Sequence, residues 1–385
     1  MHANLDQQTI PCSIMRGGTS KGLYFLATDL PVDTAQRDAL LLSLMGSPDE
    51  RQIDGLGGAH PLTSKVAIIS PSKRADADVD YLFLQVVVDK AQVSDGQNCG
   101  NILAGVGPFA IEQGLIPANN DYTDVRIHML NTGSVAVARV QTPQGKVNYS
   151  GEARIDGVPG CAAPILIDFQ DIAGSSCGSL FPTGNNQDVI LDVAVTCIDN
   201  GMPVVLLNAS SFALSGAETP AELEANQDLK TKIEAIRLAA GKLMNLGDVS
   251  KLTVPKMTLI SAARHGGLIN TRTFIPHRVH EAIGVLGSVS VATACVLKGT
   301  VAHDLVQRDF ADGSIEIVVE HPTGQFNVEM QVSGSDNIAS FAVQRAALLR
   351  TARLLMRGEA LVNSQALVNH QALINNQAKA ATNEG

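Results

Sequence analysis

Short segments in which apolar and polar residues alternate recur along most of the chain, separated by glycine, proline and asparagine. Alternation with a period of two is typical of strands that bury one face. The pattern therefore predicts a strand-rich protein. The predicted strands cover residues 9–15, 23–26, 66–70, 80–89, 125–129, 135–140, 146–150, 189–198, 204–207, 256–261, 269–275, 315–320, 326–331 and 341–348.

A few segments instead carry apolar residues at the three-and-four spacing of a helix. Asp33 with Gln36, and Thr219 with Glu222, are pairs of the kind that cap a helix start. Two further apolar runs each follow a glycine-containing turn. The predicted helices cover residues 33–44, 102–111, 219–244 and 284–299.

The order of these elements repeats once along the chain. In each half a strand ends in a glycine turn, an apolar helix follows, and antiparallel strands come after it, so we infer an internal duplication. Aligning the two helix starts places Leu286 at the position of Cys99, which leaves one thiol in the pair of turns. The predicted domains are residues 1–185, which carry Lys65 and Cys99, and residues 186–358.

Residues 359–385 differ from the rest of the chain in composition. A six-residue pattern occurs three times, starting at Ala360, Ala366 and Ala372. Three copies of six residues are too few to form a stable solenoid. We therefore interpret this segment as a low-complexity tail without a catalytic role.

Composition and charge narrow the classes of function. The net charge of −10, the absence of tryptophan and an aromatic content of 4% argue against a nucleic-acid partner. No apolar run approaches the ~20 residues of a membrane span, and the N-terminus lacks the regions of a signal peptide, so we expect a cytoplasmic protein without a membrane partner. The six cysteines have no metal-ligand spacing, so neither a metal site nor a disulfide is expected. Local anion sites can still hold a small anionic substrate, and a homodimer is left open.

The stretch 95–107 is the most informative candidate for chemistry. It contains Asn98, Cys99, Gly100 and Asn101 directly before a predicted helix. A helix N-terminus presents unpaired N–H groups and a partial positive charge, which favours a thiolate and binds carboxylates. We therefore predict a reactive thiol beside an anion site, although such a motif taken alone is more often a turn cysteine that starts an ordinary helix.

A glycine-rich loop and a lysine are two further candidates. The loop between the first two predicted strands is rich in N–H groups, hydroxyls and cations, which predicts anion binding. Lys65 stands at the entry to a strand, beside Thr63 and Ser64. A buried lysine there would be suited to proton transfer, although a lysine at an exposed strand end is the commoner case. The loop consists of Arg16, Gly17, Gly18, Thr19, Ser20, Lys21 and Gly22.

A series of motifs in fixed order extends from about residue 10 to about residue 358. The motifs are Met15-Arg-Gly-Gly-Thr-Ser-Lys-Gly22, Ile53-Asp-Gly-Leu-Gly-Gly58, Leu62-Thr-Ser-Lys65, Asp78-Val-Asp-Tyr-Leu-Phe83, Asn98-Cys-Gly-Asn101, Arg154-Ile-Asp-Gly-Val-Pro-Gly160, Thr196-Cys-Ile-Asp-Asn-Gly-Met-Pro-Val-Val205, Asn245-Leu-Gly-Asp-Val-Ser250 and Phe274-Ile-Pro-His277. Together they resemble the PrpF-type isomerases, which belong to the diaminopimelate epimerase-like superfamily. Residues 96–110 and 197–205 are most similar to the 4-oxalomesaconate tautomerases of gallate breakdown within that family.

The resemblance implies an α+β fold of the diaminopimelate epimerase-like type. Two pseudo-symmetric halves would each wrap a barrel-like sheet around a central helix, with the active-site cleft between them and no cofactor. Epimerases of this fold use two cysteines, whereas PrpF-type enzymes use a lysine and a cysteine, so Lys65 and Cys99 are the expected catalytic residues, with Lys65 preferred as the base. The expected substrate-binding residues are Arg16, Gly17, Gly18, Thr19, Ser20, Ser64, Asn98, Gly100, Asn101, His277, Arg278, Gly287 and Ser288.

The implied reaction is keto–enol tautomerisation of 4-oxalomesaconate, an unsaturated keto tricarboxylate, by proton transfer through a dienolate. The same acid/base pair would serve allylic migration of a double bond in a related tricarboxylate such as 2-methylaconitate, and the sequence does not separate the two. The missing second thiol argues against a racemase or epimerase. A non-catalytic organic-anion binding protein stays open, and a redox role for Cys99 is least favoured because no resolving cysteine lies nearby in sequence.

Overall fold

The computed structural model describes residues 6–96, 98–170, 172–365, 367–372 and 374 of the chain. Over these residues sixteen strands join into one continuous sheet. The strands are β1 (Gln7–Gly17), β2 (Ser20–Leu26), β3 (Lys65–Pro71), β4 (Val79–Val86), β5 (Val93–Ser94), β6 (Asp121–Met129), β7 (Val135–Thr142), β8 (Pro164–Gln170), β9 (Asp188–Ile190), β10 (Val193–Asp199), β11 (Pro203–Asn208), β12 (Lys256–Ala262), β13 (Ile269–Phe274), β14 (Gly313–His321), β15 (Gly324–Ser333) and β16 (Ala342–Asn363). The α-helices are α1 (Thr34–Met45), α2 (Gly100–Leu103), α3 (Val106–Glu112), α4 (Pro220–Ala225), α5 (Gln227–Leu243), α6 (Val285–Val296) and α7 (Val301–Val306).

Eight strands close into a barrel in the first half. They pair in the order β1-β2-β3-β4-β6-β7-β8-β16, and β16 pairs back with β1 from Gln7 opposite Asn363 to Gly17 opposite Ala352. Helices α2 and α3 lie against the inner face, where Ile102 belongs to the same buried cluster as residues of the surrounding strands. A closed barrel leaves no unpaired strand edge around this core.

The second half repeats the pairing scheme of the first. Antiparallel β1–β2, parallel β2–β3, antiparallel β3–β4, parallel β4–β6 and antiparallel β6–β7 correspond to β10–β11, β11–β12, β12–β13, β13–β14 and β14–β15. The last pair of each series, β7–β8 and β15–β16, is antiparallel in both halves. The predicted duplication and the two pseudo-symmetric halves are thus confirmed by strand order.

The helices divide into central and outer ones. All twelve residues of α6 are buried, and one hydrophobic cluster joins α2, α3 and α6 across the two halves. Helix α1 packs outside the first barrel, and α5 packs outside the second sheet, each over its own cluster. Within the described residues, no helix combines the length and apolar character needed to cross a membrane.

Of the four predicted helices, 33–44 and 284–299 correspond to the continuous helices α1 and α6, whereas 102–111 and 219–244 are each divided in two. Helix α1 begins as predicted, with the Asp33 carboxylate accepting the N–H of Gln36, and ends at Gly46 in the left-handed region. The predicted helix 219–244 is divided into α4 and α5, because Asn226 leaves the helical conformation and caps α5 by accepting the N–H of Leu229.

The predicted strand over residues 146–150 is wrong. The Asn148 side chain accepts the N–H of Ser150 at 3.1 Å and donates to the carbonyl of the same residue at 2.8 Å. Local hydrogen bonds of this kind compete with a sheet ladder. The segment is therefore irregular instead of a strand.

Strand β16 crosses from the second half into the first. Its residues 342–351 pair with β15 and β8, and its residues 352–363 pair with β1. The predicted boundary between residues 358 and 359 falls inside this strand. The division of the chain into domains remains a prediction. Of the predicted tail, residues 364, 365, 367–372 and 374 are helical, and the rest beyond β16 lies outside the described residues.

The start of the tail is anchored to the first barrel. Val362 is 2% exposed and joins the cluster beneath α1, whereas its neighbour Leu361 is 57% exposed. His370 donates from Nε2 to the carbonyl of Ser47 at 2.8 Å. This segment is therefore part of the packed structure of the first half.

We expect Val362→Ala to lower the free energy of unfolding by about 1–3 kcal/mol, since it removes two buried methyl groups and leaves a void. Leu361→Ala is the matched control and should change it by less than about 0.5 kcal/mol. Chemical denaturation followed by circular dichroism measures both. Equal, small effects would contradict the docking of β16 described above.

Candidate active site

Lys65 and Cys99 line one cavity of about 150 Å³ between the two halves. None of the described residues that line it is Asp or Glu, although the chain carries a net charge of −10. Among the described lining residues, an anionic ligand would therefore meet no carboxylate. The lining residues are Ser20, Pro61, Leu62, Lys65, Gln85, Asn98, Cys99, Gly100 and Asn101 from the first half, and Met202, Val204, Lys256, Thr258, Thr273, Ile275, His280, Ile283, Gly284, Val285, Leu286 and Gly287 from the second.

Cys99 is fixed by its backbone at the N-cap of α2. Its N–H donates to Asn98 Oδ1 at 2.8 Å, and its carbonyl accepts from Leu103 N–H at 3.0 Å and from the Tyr81 hydroxyl at 3.3 Å. Burial raises the pKa of Tyr81 well above its ordinary value, and the nearby Cys99 charge raises it further. Tyr81 therefore remains a hydrogen-bond donor, and the thiol makes no capping hydrogen bond of its own.

The predicted helix 102–111 is interrupted. Helix α2 lasts a single turn, and α3 starts at Val106. The Tyr24 hydroxyl donates to the carbonyl of Ile102 at 2.5 Å, and Pro108 has no N–H to offer the preceding turn. A one-turn helix has a small dipole, so the expected electrostatic support for Cys99 from a long helix is reduced.

The glycine loop packs against the start of α2. Thr19 N–H donates to Asn101 Oδ1 at 3.3 Å. A Cβ atom on Gly17 would collide with the Asn101 carbonyl oxygen, and Gly18 has a positive φ of 51°. Only residues without a side chain allow this approach. Of this loop, Ser20 lines the cavity, while the glycines and Thr19 hold Asn101 in place.

Lys65 is the first residue of β3 and is 6% exposed. Its Nζ donates to Gln85 Oε1 at 2.8 Å and lies 4.9 Å from the centre of the Phe83 ring. Ser64 does not line the cavity, because its hydroxyl donates to the carbonyl of Val86 at 2.8 Å and accepts from Gln52. Lys65 is thus the buried amine at this wall.

The second half presents the N-terminus of α6 to the same cavity. Gly284 is the N-cap residue, and Leu286 and Gly287 line the cavity with it. Leu286 thus lines the cavity from the second half, as Cys99 does from the first, and supplies no thiol. Ser288 lies deeper, with its hydroxyl donating to the carbonyl of Val285 at 2.7 Å.

His277 and Arg278 are exposed and do not line the cavity. His280 lines it instead, and its Nδ1 accepts the N–H of Ala282 at 2.8 Å. A neutral ring therefore carries its proton on Nε2. Burial, followed by the charges of Lys65 and other nearby cations, lowers the pKa of His280 to about 4.

Lys256, His280 and Gln85 were not among the predicted site residues. Lys256 is the first residue of β12, as Lys65 is of β3. The inferred duplication contained a signal for this lysine, because each half has a lysine at the start of its third long strand. No sequence pattern pointed to His280 or Gln85.

Arg16 faces a different cavity, of about 420 Å³, together with Thr351 and Arg353. Its guanidinium donates to the carbonyl of Gly18 at 2.9 Å and to the Thr351 hydroxyl at 3.0 Å. Neither Lys65 nor Cys99 lines this larger cavity. The guanidinium of Arg16 thus ties the glycine loop to Thr351 of β16. A contact between Arg16 and the substrate remains a prediction.

Comparison with known proteins places the chain in a family. The family model described as "PrpF protein" matches residues 7–363. The chain belongs to the PrpF family.

Two similar relatives carry names of defined reactions. The chain is 58% identical over 349 residues to 4-oxalomesaconate tautomerase of Pseudomonas putida, covering 91% of this chain and 95% of the relative. It is 59% identical over 351 residues to (4E)-oxalomesaconate Delta-isomerase of Novosphingobium sp., covering 91% and 96%. The PrpF-family chain is therefore an isomerase.

Solved structures agree with the fold. Methylitaconate-delta-isomerase superposes with a TM-score of 0.78 at 37% identity, covering 94% of this chain and 97% of that one. A hydroxyproline epimerase of Agrobacterium vitis superposes with a TM-score of 0.54 at 14% identity over 92% and 93% of the two chains, which is a likeness of fold alone. The expected epimerase-like fold is confirmed.

We expect Gly100→Ala to destabilise the protein by about 1–3 kcal/mol, because its Cβ would lie 2.7 Å from Cβ of Val285, where the two halves meet. Gly284→Ala is the matched control, since an added Cβ would have no heavy atom beyond its chain neighbours within 4 Å and the φ of −68° suits alanine. Thermal unfolding of both variants tests this. A Gly100→Ala protein as stable as the control would contradict the close contact.

His280 gives a pH-dependent stability with a definite sign. Its pKa in the folded protein is about 4, below the ordinary 6.5, so the unfolded chain binds a proton first as the pH falls. Stability should therefore decrease between pH 6.5 and 4, by at most about 1.4 kcal/mol per unit from this group. Urea unfolding across this range should show a shallower decrease for His280→Gln. An unchanged slope would contradict the burial of a neutral ring.

Proposed function

We propose that the protein is a cofactor-independent isomerase that interconverts the keto and enol forms of 4-oxalomesaconate, with Lys65 and Cys99 transferring the protons. Its place in gallate breakdown in the cytoplasm belongs to the same proposal. The observation that carries it is the convergence of a buried amine and a thiol on one cavity whose described lining contains no carboxylate. The 58% identity to a 4-oxalomesaconate tautomerase supports the choice of substrate.

The chemistry needs a base, an acid and stabilisation of an anion. The substrate carries a CH₂ group between a keto group and a carbon–carbon double bond, and loss of one of its protons gives a dienolate. In the proposal Lys65 accepts this proton, and its positive charge then lies beside the developing negative charge. Protonation of the oxygen then gives the enol, with Cys99 as the proton donor or as a polarising group.

Gln85 and Tyr81 position the two reacting groups. The Gln85 amide oxygen accepts from Lys65 Nζ, and its Nε2 donates to the carbonyl of Ser64 at 2.8 Å, so the amide is itself oriented. Tyr81 donates to the Cys99 carbonyl. Two residues of β4 thereby hold the base at the start of β3 and the acid at the start of α2.

Allylic isomerisation is the second candidate, favoured by the 59% identity to an oxalomesaconate Delta-isomerase. It begins with the same dienolate and differs in the atom that receives the proton, a remote carbon instead of oxygen. Proton NMR of the product formed in H₂O separates the two. Two vinyl signals and no CH₂ signal identify the dienol, whereas one vinyl signal and one CH₂ signal, both at chemical shifts different from those of the substrate, identify a migrated double bond.

We expect Lys65→Met and Cys99→Ala each to lower kcat by about 10²–10⁴-fold, the usual contribution of a general acid or base. The assay follows the absorbance of the conjugated product with 4-oxalomesaconate as substrate. Lys251→Met and Cys161→Ala are matched controls, because both side chains are exposed and neither lines this cavity. Near-full turnover by both site variants would place the proton transfer elsewhere.

A further inference from the structure

Lys256 holds in the second half the position that Lys65 holds in the first. In parallel pairs, Lys65 lies opposite Gly22 of β2, and Lys256 lies opposite Val204 of β11. Both lysines are 6% exposed, and both line the same cavity. The duplicated sheet therefore brings two amines into one cavity from opposite sides.

The segment that leads to the second lysine is fixed by a buried arginine. Arg237 on α5 is fully buried and donates to the carbonyls of Val249 and Val254, both at 2.9 Å, which fixes the segment leading into β12. Burial lowers the pKa of Lys256 to about 8, and the charge of Arg237 contributes. Lys256 is thus mainly a cation at neutral pH.

The residues opposite the two lysines on the neighbouring strands differ in polarity. Lys65 faces the amide of Gln85, its ladder partner on β4. In the second half, Met257 of β12 lies opposite Phe274 of β13. Continuing this antiparallel register by one residue puts Ile275 opposite Lys256, and Ile275 also lines the cavity. The first half thus has an amide opposite its lysine, whereas the second half has an apolar side chain at the matching position, and Thr258, Thr273 and His280 also line the cavity from this half.

The charges that line the cavity indicate a role for Lys256. The cavity contains two lysines and the N-terminus of the twelve-residue α6, and its described lining has no Asp or Glu. His280 lies within electrostatic reach of Lys65 and Lys256, which both lower its pKa after the larger effect of burial. Such a site favours a ligand with several negative groups spread over its length.

We propose that Lys256 binds a carboxylate of the substrate that is remote from the carbon losing its proton, and thereby selects tricarboxylates over smaller acids. This inference rests on the proposed function, in which Lys65 and Cys99 act on the reacting carbon. The substrate then spans the cavity, with its reacting end toward the first half and a carboxylate anchored to the second.

The test compares Lys256→Met, Lys256→Arg and the exposed-lysine control Lys251→Met. With 4-oxalomesaconate, Lys256→Met should raise KM by about 10- to 100-fold, the range for loss of a hydrogen bond to a charged group, and change kcat much less. Lys256→Arg should recover most of the loss, and Lys251→Met should behave like the unaltered protein. An unchanged KM in Lys256→Met, or a loss confined to kcat, would overturn the inference.

A binding measurement keeps this result separate from the proposed reaction. Tricarballylate, a saturated tricarboxylate with no keto group, is titrated calorimetrically into the unaltered protein and into Lys256→Met. We expect at least about tenfold weaker binding to Lys256→Met, and equal binding to both would overturn the role of Lys256. If the unaltered protein binds tricarballylate through Lys256 but does not turn over 4-oxalomesaconate, the proposed reaction fails and the carboxylate site stands.

Discussion

The pairing of β16 with both halves is the constraint on which the rest of the structure depends. This strand of 22 residues closes the first barrel through β1 and joins the second sheet through β15. Its backbone hydrogen bonds tie together two sheets that otherwise repeat one another. The cavity between the halves has fixed walls because these sheets are parts of one continuous hydrogen-bonded surface.

Close packing at the centre then determines how far apart the functional groups lie. The start of α2 meets the start of α6 at Gly100 and Val285, where there is no room for a side chain on the glycine. The one-turn α2 carries Cys99, and α6 carries the opposing backbone N–H groups. Both central helices belong to a single hydrophobic cluster, so the core that stabilises the fold also sets the width of the cavity.

The repeated architecture of the two halves accounts for the paired features of the cavity. The common scaffold places a lysine at the start of one strand in each half and a glycine turn before each central helix. The halves differ at Cys99 and Leu286, and at Gln85 and Ile275. These differences place an amide opposite the lysine of the first half and an apolar side chain at the matching position of the second. The two ends of the cavity are therefore chemically different.

The sequence by itself determined the strand-rich pattern, the duplication, the capped start of α1 and the family, because these depend on local periodicity and on motifs in fixed order. Lys65 and Cys99 were found as candidates in the same way. Only the tertiary structure decided that Arg16, Ser64 and Ser288 are engaged outside the cavity, and that Lys256 and His280 line it. The physical reason is that which side chains converge on a cavity depends on strand register and on contacts between residues distant in sequence, such as those of Tyr24 with α2 and of β16 with β1. These contacts leave no pattern in a local window of residues.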